Sequence, residues 1–262
     1  MRGLDSLPLA FYCGVMFQCS FHKLLSDKSR LYMTEDLDEF EDSDWEALEK
    51  EWEDDQREFD ELNKKMDEAF EWMDVFFELE DKLTTFNENM ESLYQGIVSA
   101  EQQKNRRFLN GILLIGVVSS YESFVHDFFD ICCTKQEYIA KAALNIDKLG
   151  DKDKNYLRLK VGMSEDSLKK RLKKVTLHDP IQIANIAALL FGLKMPVLKQ
   201  AHTEKLLEQR NLFTHHGGVS DGESVEITSG YLLGVYNVIY RLINGYVGAI
   251  TSHADECMEQ ET

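Results

Sequence analysis

The sequence predicts an all-α protein, an up-and-down helical bundle that carries a long acidic helical arm on its N-terminal side. Two observations predict this class. The 262 residues include only 3 prolines and 15 glycines, too few for the many turns of an all-β fold. Apolar residues also recur every three to four positions over long stretches, which is the spacing of amphipathic helices.

Acidic residues are concentrated in one segment of the chain. The whole chain carries a formal charge of −18, but residues 34–81 alone contain 23 acidic and 4 basic residues. The rest of the chain holds 24 acidic and 25 basic side chains and is therefore close to neutral. This distribution argues against a strongly basic protein that coats nucleic acid, and it assigns the acidity to one arm.

Three parts follow from these patterns. Residues 1–32 are predicted to be a leader or an over-extended start, because Met33 opens a natural N-terminal sequence. The apolar run at 7–19 within them is too short to span a membrane. Residues 33–94 are predicted to form the acidic arm, and residues 95–262 the helical bundle.

The predicted arm has the apolar spacing of a long amphipathic helix, with acidic residues on its other face. One heptad series comprises Trp45, Trp52, Phe59, Met66 and Met73. A second comprises Leu48, Leu62, Ala69, Phe76, Leu83, Met90 and Ile97. The pattern predicts one helix, or two helices with a break near Thr84-Thr85. It fits a solvated helix packed on the body or in a coiled coil, or an acidic face that mimics a polyanion and holds a basic partner.

The predicted bundle is built around residues 106–131, which are apolar on nearly every side and indicate a central helix covered all round. Glu122, His126 and Asp127 make this segment too polar for a membrane span. Cys132 and Cys133 at its end are predicted to be small buried side chains. The five cysteines form no CxxC spacing, which favours a reducing compartment, so we expect a cytoplasmic protein.

Three further helices are predicted over residues 180–192, 197–215 and 228–253. Asp179 and Pro180 suit the N-cap and the first position of the earliest of these helices. Gly217-Gly218 end the next one, and residues 220–224 form a turn. Residues 225–227 are a candidate for a very short strand, although nothing in the sequence supports a sheet.

A lysine-rich stretch precedes these helices and is the only concentrated basic surface in the sequence. Its densest part is Lys169, Lys170, Arg171, Lys173 and Lys174. Such a run is either a solvated helix face or a surface that contacts the backbone of RNA.

The stretch from Glu208 to Gly218 combines an arginine, an asparagine and two histidines at a predicted helix end. Arg210 and His215 lie five positions apart, which is about 140° on an ideal helix after one full turn. They share a face only if the helix ends or distorts between them, although both can line a cleft that opens toward a partner. In the last turn, carbonyl dipoles favour a protonated imidazole, which suits a group that takes and donates a proton near neutral pH.

This stretch, Arg210-Asn211-Leu212-Phe213-Thr214-His215, resembles the RNA-cleaving motif of the HEPN superfamily. That motif is an arginine and a histidine separated by four to six residues, with a polar residue directly after the arginine. His216 also fits the looser spacing. The resemblance extends over residues 95–255 and includes the helical body and the position of the motif just before the last long helix.

The resemblance implies a metal-independent endoribonuclease that uses no cofactor. It would activate the ribose 2′-hydroxyl for attack on the adjacent phosphate and leave a 2′,3′-cyclic phosphate and a 5′-hydroxyl. His215 would transfer the proton and Arg210 would stabilise the phosphorane, while Asn211 would orient His215 or contact a phosphate. The family builds this site between two protomers, so we expect a homodimer with RNA as substrate. Family biology implies a toxin or an anti-phage defence effector, with an antitoxin or regulatory partner.

Glu122 is expected to be partly buried, because its neighbours on an ideal helix are mostly apolar. A buried carboxylate needs a partner. The resemblance favours Arg210 or a histidine of the motif, and the alternative is a structural ion pair elsewhere.

Other interpretations of the same residues remain open. Arg210 and His215 are also suited to a C-cap and a salt bridge. The main alternative function is a non-catalytic helical interaction module whose acidic arm binds a basic partner. The spacing of His178, His202 and the motif histidines lacks the pairing of a zinc site, so we expect no metal. Because the run at 7–19 is short and the segment at 106–131 carries polar residues, we also expect no membrane association.

Overall fold

The computed structural model describes residues 42–103, 106–174, 178–220 and 222–260, with side chains from residue 49 to residue 257. The fold is all-α, as predicted. The predicted leader or over-extended start at 1–32 lies outside the described residues, as do the first residues of the predicted arm.

Eight α-helices and one short hairpin make up the described residues. The helices are α1 (Asp42–Ala100), α2 (Arg106–Cys132), α3 (Gln136–Asn145), α4 (Asp151–Leu157), α5 (Glu165–Leu172), α6 (Pro180–Leu190), α7 (Gln200–His216) and α8 (Ser229–Gln260). A 3-10 turn covers Ile146–Lys148. The strands β1 (Val219–Ser220) and β2 (Glu223–Ser224) pair antiparallel.

The hairpin corrects the candidate strand at 225–227. Three of the four paired residues, Ser220, Glu223 and Ser224, lie within the predicted turn at 220–224 instead, because Gly222 adopts a φ of +81° and closes the hairpin before residue 225 is reached. Val225 then donates its backbone N–H to the carbonyl of Gly218 at 2.8 Å, outside the strand pairing.

The long helix α1 runs unbroken through Thr84 and Thr85, so of the two predicted alternatives the single helix is the one that forms. Thr85 Oγ1 donates to the carbonyl of Asp81 at 3.2 Å, which satisfies the hydroxyl within the helix. The neighbouring Phe86 is 2% exposed and packs in the core, which holds this turn of the helix in place.

The described residues divide into two units between Glu68 and Ala69, whereas the boundary between arm and bundle predicted at 94/95 stays a prediction. The C-terminal unit includes the second half of α1. The reason is that α1 contributes a buried stripe to the body from Trp72 onward, namely Trp72, Val75, Leu79, Phe86, Met90 and Ile97. These side chains supply the apolar area that makes this part of α1 a core helix.

The central helix α2 contacts α5, α7 and α8. Its core side chains include Leu114, Val117, Tyr121 and Phe128, all at most 1% exposed. The expectation that it is covered all round is wrong for its first turns, where three large apolar side chains are exposed. These are Phe108 at 55%, Leu109 at 37% and Ile112 at 47%.

The apolar character of α2 also bears on membranes. Among the described residues, α2 is the one helix long and apolar enough to cross a membrane, so its polar side chains do not exclude a span by composition. Many side chains of α2 are buried within the body, as is typical of the core helix of a helical bundle. Cys132 and Cys133 at its end are buried as predicted, and burial raises the pKa of Cys133 to about 12.

Local signals at two helix ends are confirmed. Asp179 caps α6, since its Oδ1 accepts the backbone N–H groups of Ile181 at 2.9 Å and Gln182 at 3.3 Å. Gly217 and Gly218 end α7 with φ values of +59° and +81°, a left-handed conformation that suits glycine.

Candidate functional site

The helix α7, which carries Arg210 and His215, packs on α2 through the contact of an aromatic side chain with a glycine. Phe213 is 6% exposed, and its ring lies over Gly111 of α2. A Cβ atom on Gly111 would lie 2.0 Å from Cδ1 of Phe213, so only glycine allows the two helices to come this close. Gly218 folds back over the same ring, where a Cβ would lie 2.4 Å from Cε1. The end of α7 that carries the histidines is therefore held against α2.

Two hydrogen bonds attach the segment that follows the hairpin to the same part of α2. Asn110 is 1% exposed, and its Nδ2 donates to the carbonyl of Ile227 at 2.7 Å. Arg107 Nε donates to the carbonyl of Val225 at 3.0 Å. Because bonds buried between distant parts of the chain hold backbone rigidly, the motif is flanked by fixed structure.

Arg210 and Glu122 form an ion pair between α7 and α2. Arg210 Nη2 donates to Oε1 of Glu122 at 3.1 Å and to Oε2 at 3.2 Å. The two side chains are only 18% and 14% exposed. At this burial each charge compensates the desolvation of the other. The partner expected for Glu122 is thus the arginine of the motif.

The rest of the guanidinium group faces Asn211 and the protein interior. Nη1 of Arg210 donates to Oδ1 of Asn211 at 3.1 Å. Nε of Arg210 is buried and has no hydrogen-bond partner among the described residues. Asn211 therefore holds the arginine in this structure, and between the described side chains of Asn211 and His215 there is no hydrogen bond.

His215 and His216 lie at the other end of the motif and are exposed. Their ring centroids are 6.5 Å apart, with the planes at 71°. Because α7 continues through His216, neither an end nor a break in the helix brings His215 round to the face of Arg210. Arg210 and His215 therefore lie on different faces of α7.

The negative charge of Glu122 helps to raise the pKa values of two tyrosines, Tyr121 and Tyr156. The hydroxyls of Tyr121 and Tyr246 are 3.0 Å apart in the core. Burial and then the neighbouring Tyr246 raise the pKa of Tyr121 well above its usual range, and the charges of Asp179 and Glu122 add to this in the same direction. Burial, then Asp179 and Glu122, also raises the pKa of Tyr156. Both phenols remain hydrogen-bond donors at neutral pH, and no spacing in the sequence associates Tyr156 with the motif.

The basic cluster occupies α5 and the turn after it. Lys173 Nζ lies 3.1 Å from Oδ2 of Asp130 on α2. The remaining members, Lys169, Lys170, Arg171 and Lys174, are exposed except for the half-buried Lys169. Among the described residues, no hydrogen bond or ion pair joins this cluster to Arg210 or His215.

The donor groups needed for a metal centre are not gathered at the motif. Among the described ranges, no set of three or more His, Cys, Asp or Glu side chains is placed to hold a metal ion. No such set combines the motif histidines with His178 or His202, the two other histidines considered as metal ligands from the sequence.

Comparison with known proteins adds no relative on which to base a function. No family model, no curated protein and no solved structure matches the chain. The functional argument therefore depends on the residues of the motif and on the geometry around them.

Proposed function

We propose that the chain is a HEPN-type endoribonuclease that cleaves RNA without a metal ion or cofactor, at a site completed by a second copy of the chain. The observation that carries this proposal is the ion pair of Arg210 with Glu122. It places the guanidinium of the motif at a defined point on α7 while the histidines of the same motif remain exposed.

Arg210 is suited to stabilise the negative charge that develops on the phosphate. Glu122 engages Nη2 and Asn211 engages Nη1, so the planar group is oriented before RNA arrives. A donor that is already oriented needs no reorganisation during the reaction, which is the basis of electrostatic stabilisation of a transition state. Glu122 and Asn211 act here as positioning residues, and the Arg210 guanidinium is the group that contacts the phosphate.

His215 is suited to proton transfer. An imidazole takes the proton of the ribose 2′-hydroxyl, the 2′-oxygen forms a bond to phosphorus, and the bond from phosphorus to the 5′-oxygen breaks. The imidazolium so formed gives its proton to the leaving 5′-oxygen, so the products are a 2′,3′-cyclic phosphate and a 5′-hydroxyl. His215 lies in the last turn of α7 and is exposed, so its imidazole is accessible to a bound RNA strand. His216 is the alternative proton-transfer group, since it is exposed as well.

A second copy is required because Arg210 and His215 lie on different faces of an unbroken helix. Exposed apolar side chains on the first turns of α2, the helix on which α7 packs, support such contact. Phe108, Leu109 and Ile112 are exposed next to Gly111, which contacts Phe213. A cleft of about 330 Å³ lies along this surface and is lined mainly by small and apolar residues of α1 and α2. Clustered exposed apolar side chains mark interaction surfaces.

The remaining expectations belong to the same proposal. Lys170, Arg171 and Lys174 are exposed and would contact the RNA backbone as point charges. A toxin or defence effector acting in the cytoplasm, controlled by an antitoxin or another regulatory partner, is the biological role that the motif implies.

The test uses the purified full-length chain, cellular RNA and EDTA. We expect cleavage that leaves cyclic-phosphate ends, and we expect Arg210→Ala and His215→Ala each to remove it while the fold is retained by circular dichroism. His216→Ala identifies which imidazole acts. Induced expression with a growth readout repeats the comparison in cells. Equal cleavage by the wild type and both variants, or cleavage that EDTA abolishes, would overturn the proposal.

A further inference from the structure

The first half of α1 presents large apolar side chains to solvent. Within the unit that ends at Glu68, every described side chain from residue 49 to residue 61 is exposed. Trp52 is 69% exposed and Phe59 is 57% exposed, and they lie seven residues apart on one stripe of the helix. Paired aromatic side chains at this spacing are anchors of the kind that helix-binding surfaces use.

A groove lies along this stripe. Its apolar lining is Trp52, Phe59 and Leu62, and it encloses about 580 Å³. Its remaining lining is polar and mostly acidic, and consists of Asp55, Gln56, Glu58, Glu61 and Lys65. Apolar anchors bordered by charges of one sign are the pattern by which a coiled-coil seam selects its partner.

The charge around the groove is strongly negative. Residues 49–61 contain eight acidic and two basic side chains. One of the two basic residues, Arg57, already pairs with the carboxylate of Asp54. The surface therefore favours an occupant with an excess of positive charge, and that preference weakens as salt increases.

The negative charge of this surface also distinguishes among three possible occupants, namely a second copy of the chain, RNA and a basic helix of another protein. A second copy would bring a second acidic helix against the first, and a parallel pairing would place Asp55 opposite its counterpart between the two aromatic anchors. RNA carries the same sign of charge as this helix. The complementary occupant is a helix with an apolar stripe bordered by lysine or arginine.

We propose that residues 49–66 of α1 form a docking surface for a basic amphipathic helix of a partner protein, with Trp52 and Phe59 as its anchors. The partner helix lays its apolar stripe over the two aromatic side chains, and its basic residues meet the carboxylates on either side. This surface contains no residue of the Arg210 motif, so the proposal goes beyond RNA cleavage and does not depend on it.

The experiment uses the full-length chain and a labelled synthetic helix of about four heptads, with leucine at the core positions and lysine on both flanks. A second peptide carries glutamate in place of the lysines. Anisotropy is expected to show saturable binding of the basic peptide alone, weakened when salt is raised from about 50 to about 300 mM. Trp52→Ala and Phe59→Ala are expected to weaken binding at least about tenfold.

Phe77→Ala is the matched control, because Phe77 lies on the same helix and is 54% exposed but belongs to neither heptad series. It is expected to bind the basic peptide as tightly as the wild type does. Equal effects of the variants at 59 and 77 would overturn the proposal, as would failure of the basic peptide to bind. Sedimentation that shows self-association dependent on Phe59 would assign the surface to a second copy, and binding of single-stranded RNA dependent on Phe59 would assign it to nucleic acid. RNA cleavage is expected to be unchanged in Trp52→Ala, which separates this result from a failure of the nuclease proposal.

Discussion

The middle of α7 and its C-terminal end belong to one motif but differ in how the structure holds them. Arg210, in the middle, is 18% exposed and bonded to Glu122 on α2. His215 and His216, at the end, are exposed, although the nearby Phe213 packs tightly on Gly111. The backbone of the motif is thus held against α2 at both places. Of the side chains compared, that of Arg210 is held by an ion pair, whereas those of His215 and His216 are exposed to solvent.

This difference separates two kinds of contribution. A side chain that is buried and paired contributes to folding as well as to any reaction, because removing it leaves a charge without compensation. An exposed side chain at a rigid helix end can be changed at little cost in stability. Substitutions at the two places should therefore divide between loss of stability and loss of activity, and the predictions that follow test that division.

The largest effect is expected for His215→Ala in RNA cleavage. Losing a proton-transfer group costs about 10²- to 10⁴-fold in rate, whereas an exposed position should change the free energy of unfolding by less than about 0.5 kcal/mol. Initial rates of RNA cleavage and urea unfolding of the same preparation measure the two quantities. A variant that loses activity together with stability would show that His215 has a structural role instead.

Gly111→Ala should destabilise the anchored part of the motif most strongly. The new methyl group would lie 2.0 Å from the Phe213 ring, and overpacking of this kind costs about 1–3 kcal/mol. Gly234→Ala is the matched control, because no atom lies within 4 Å of its added Cβ and it lies inside α8. That change should stabilise by up to about 1 kcal/mol. Urea midpoints compare the two, and equal midpoints would show that α7 can shift away from α2.

Arg210→Ala should reduce stability by about 1–3 kcal/mol, because Glu122 would keep its charge at a mostly buried position. Glu122→Gln removes the charge from the other side of the pair. A double-mutant cycle measures the coupling, and the combined variant should be more stable than the sum of the single losses implies. Strict additivity would mean that the ion pair contributes little to folding.

The smallest effect concerns pH and a histidine outside the motif. His253 stacks on Tyr138 with ring centroids 5.5 Å apart. Burial lowers the pKa of His253 below 6.5; Lys141 and Lys135 lower it further, while Glu137 and Glu256 oppose them. The unfolded chain therefore binds a proton more readily than the folded chain does. Stability is expected to fall as pH drops from about 6.5 toward the folded pKa, below which it levels off.

Thermal unfolding across this pH range measures the effect, with His253→Gln as the test and His216→Ala as the exposed control. The variant at 253 should lose part of the pH dependence, and the variant at 216 should keep it. The opposite result would mean that the exposed histidines, and not the one stacked on Tyr138, couple stability to pH.

The two halves of α1 show how far a periodic pattern can be used. Heptad spacing predicted a helix through both halves, and the helix is continuous. Yet Trp52 is 69% exposed and Trp72 is 1% exposed, and Trp72 belongs to neither predicted series. Spacing determines which side chains share a face of a helix, whereas burial depends on whether another part of the chain covers that face.

Local chemistry in the sequence therefore determined the all-α class, the Asp179 cap, the glycine stop after α7 and the spacing of Arg210 and His215. Each of these depends on residues within a few positions of one another, whose interactions are the same wherever the segment lies. The tertiary structure decided that Glu122 pairs with Arg210 across 88 residues, that Phe213 packs on Gly111, and that Tyr156 lies near the same carboxylate. Those contacts join residues that are far apart in the sequence. They depend on how the helices pack against one another, which the spacing of residues along the chain does not predict.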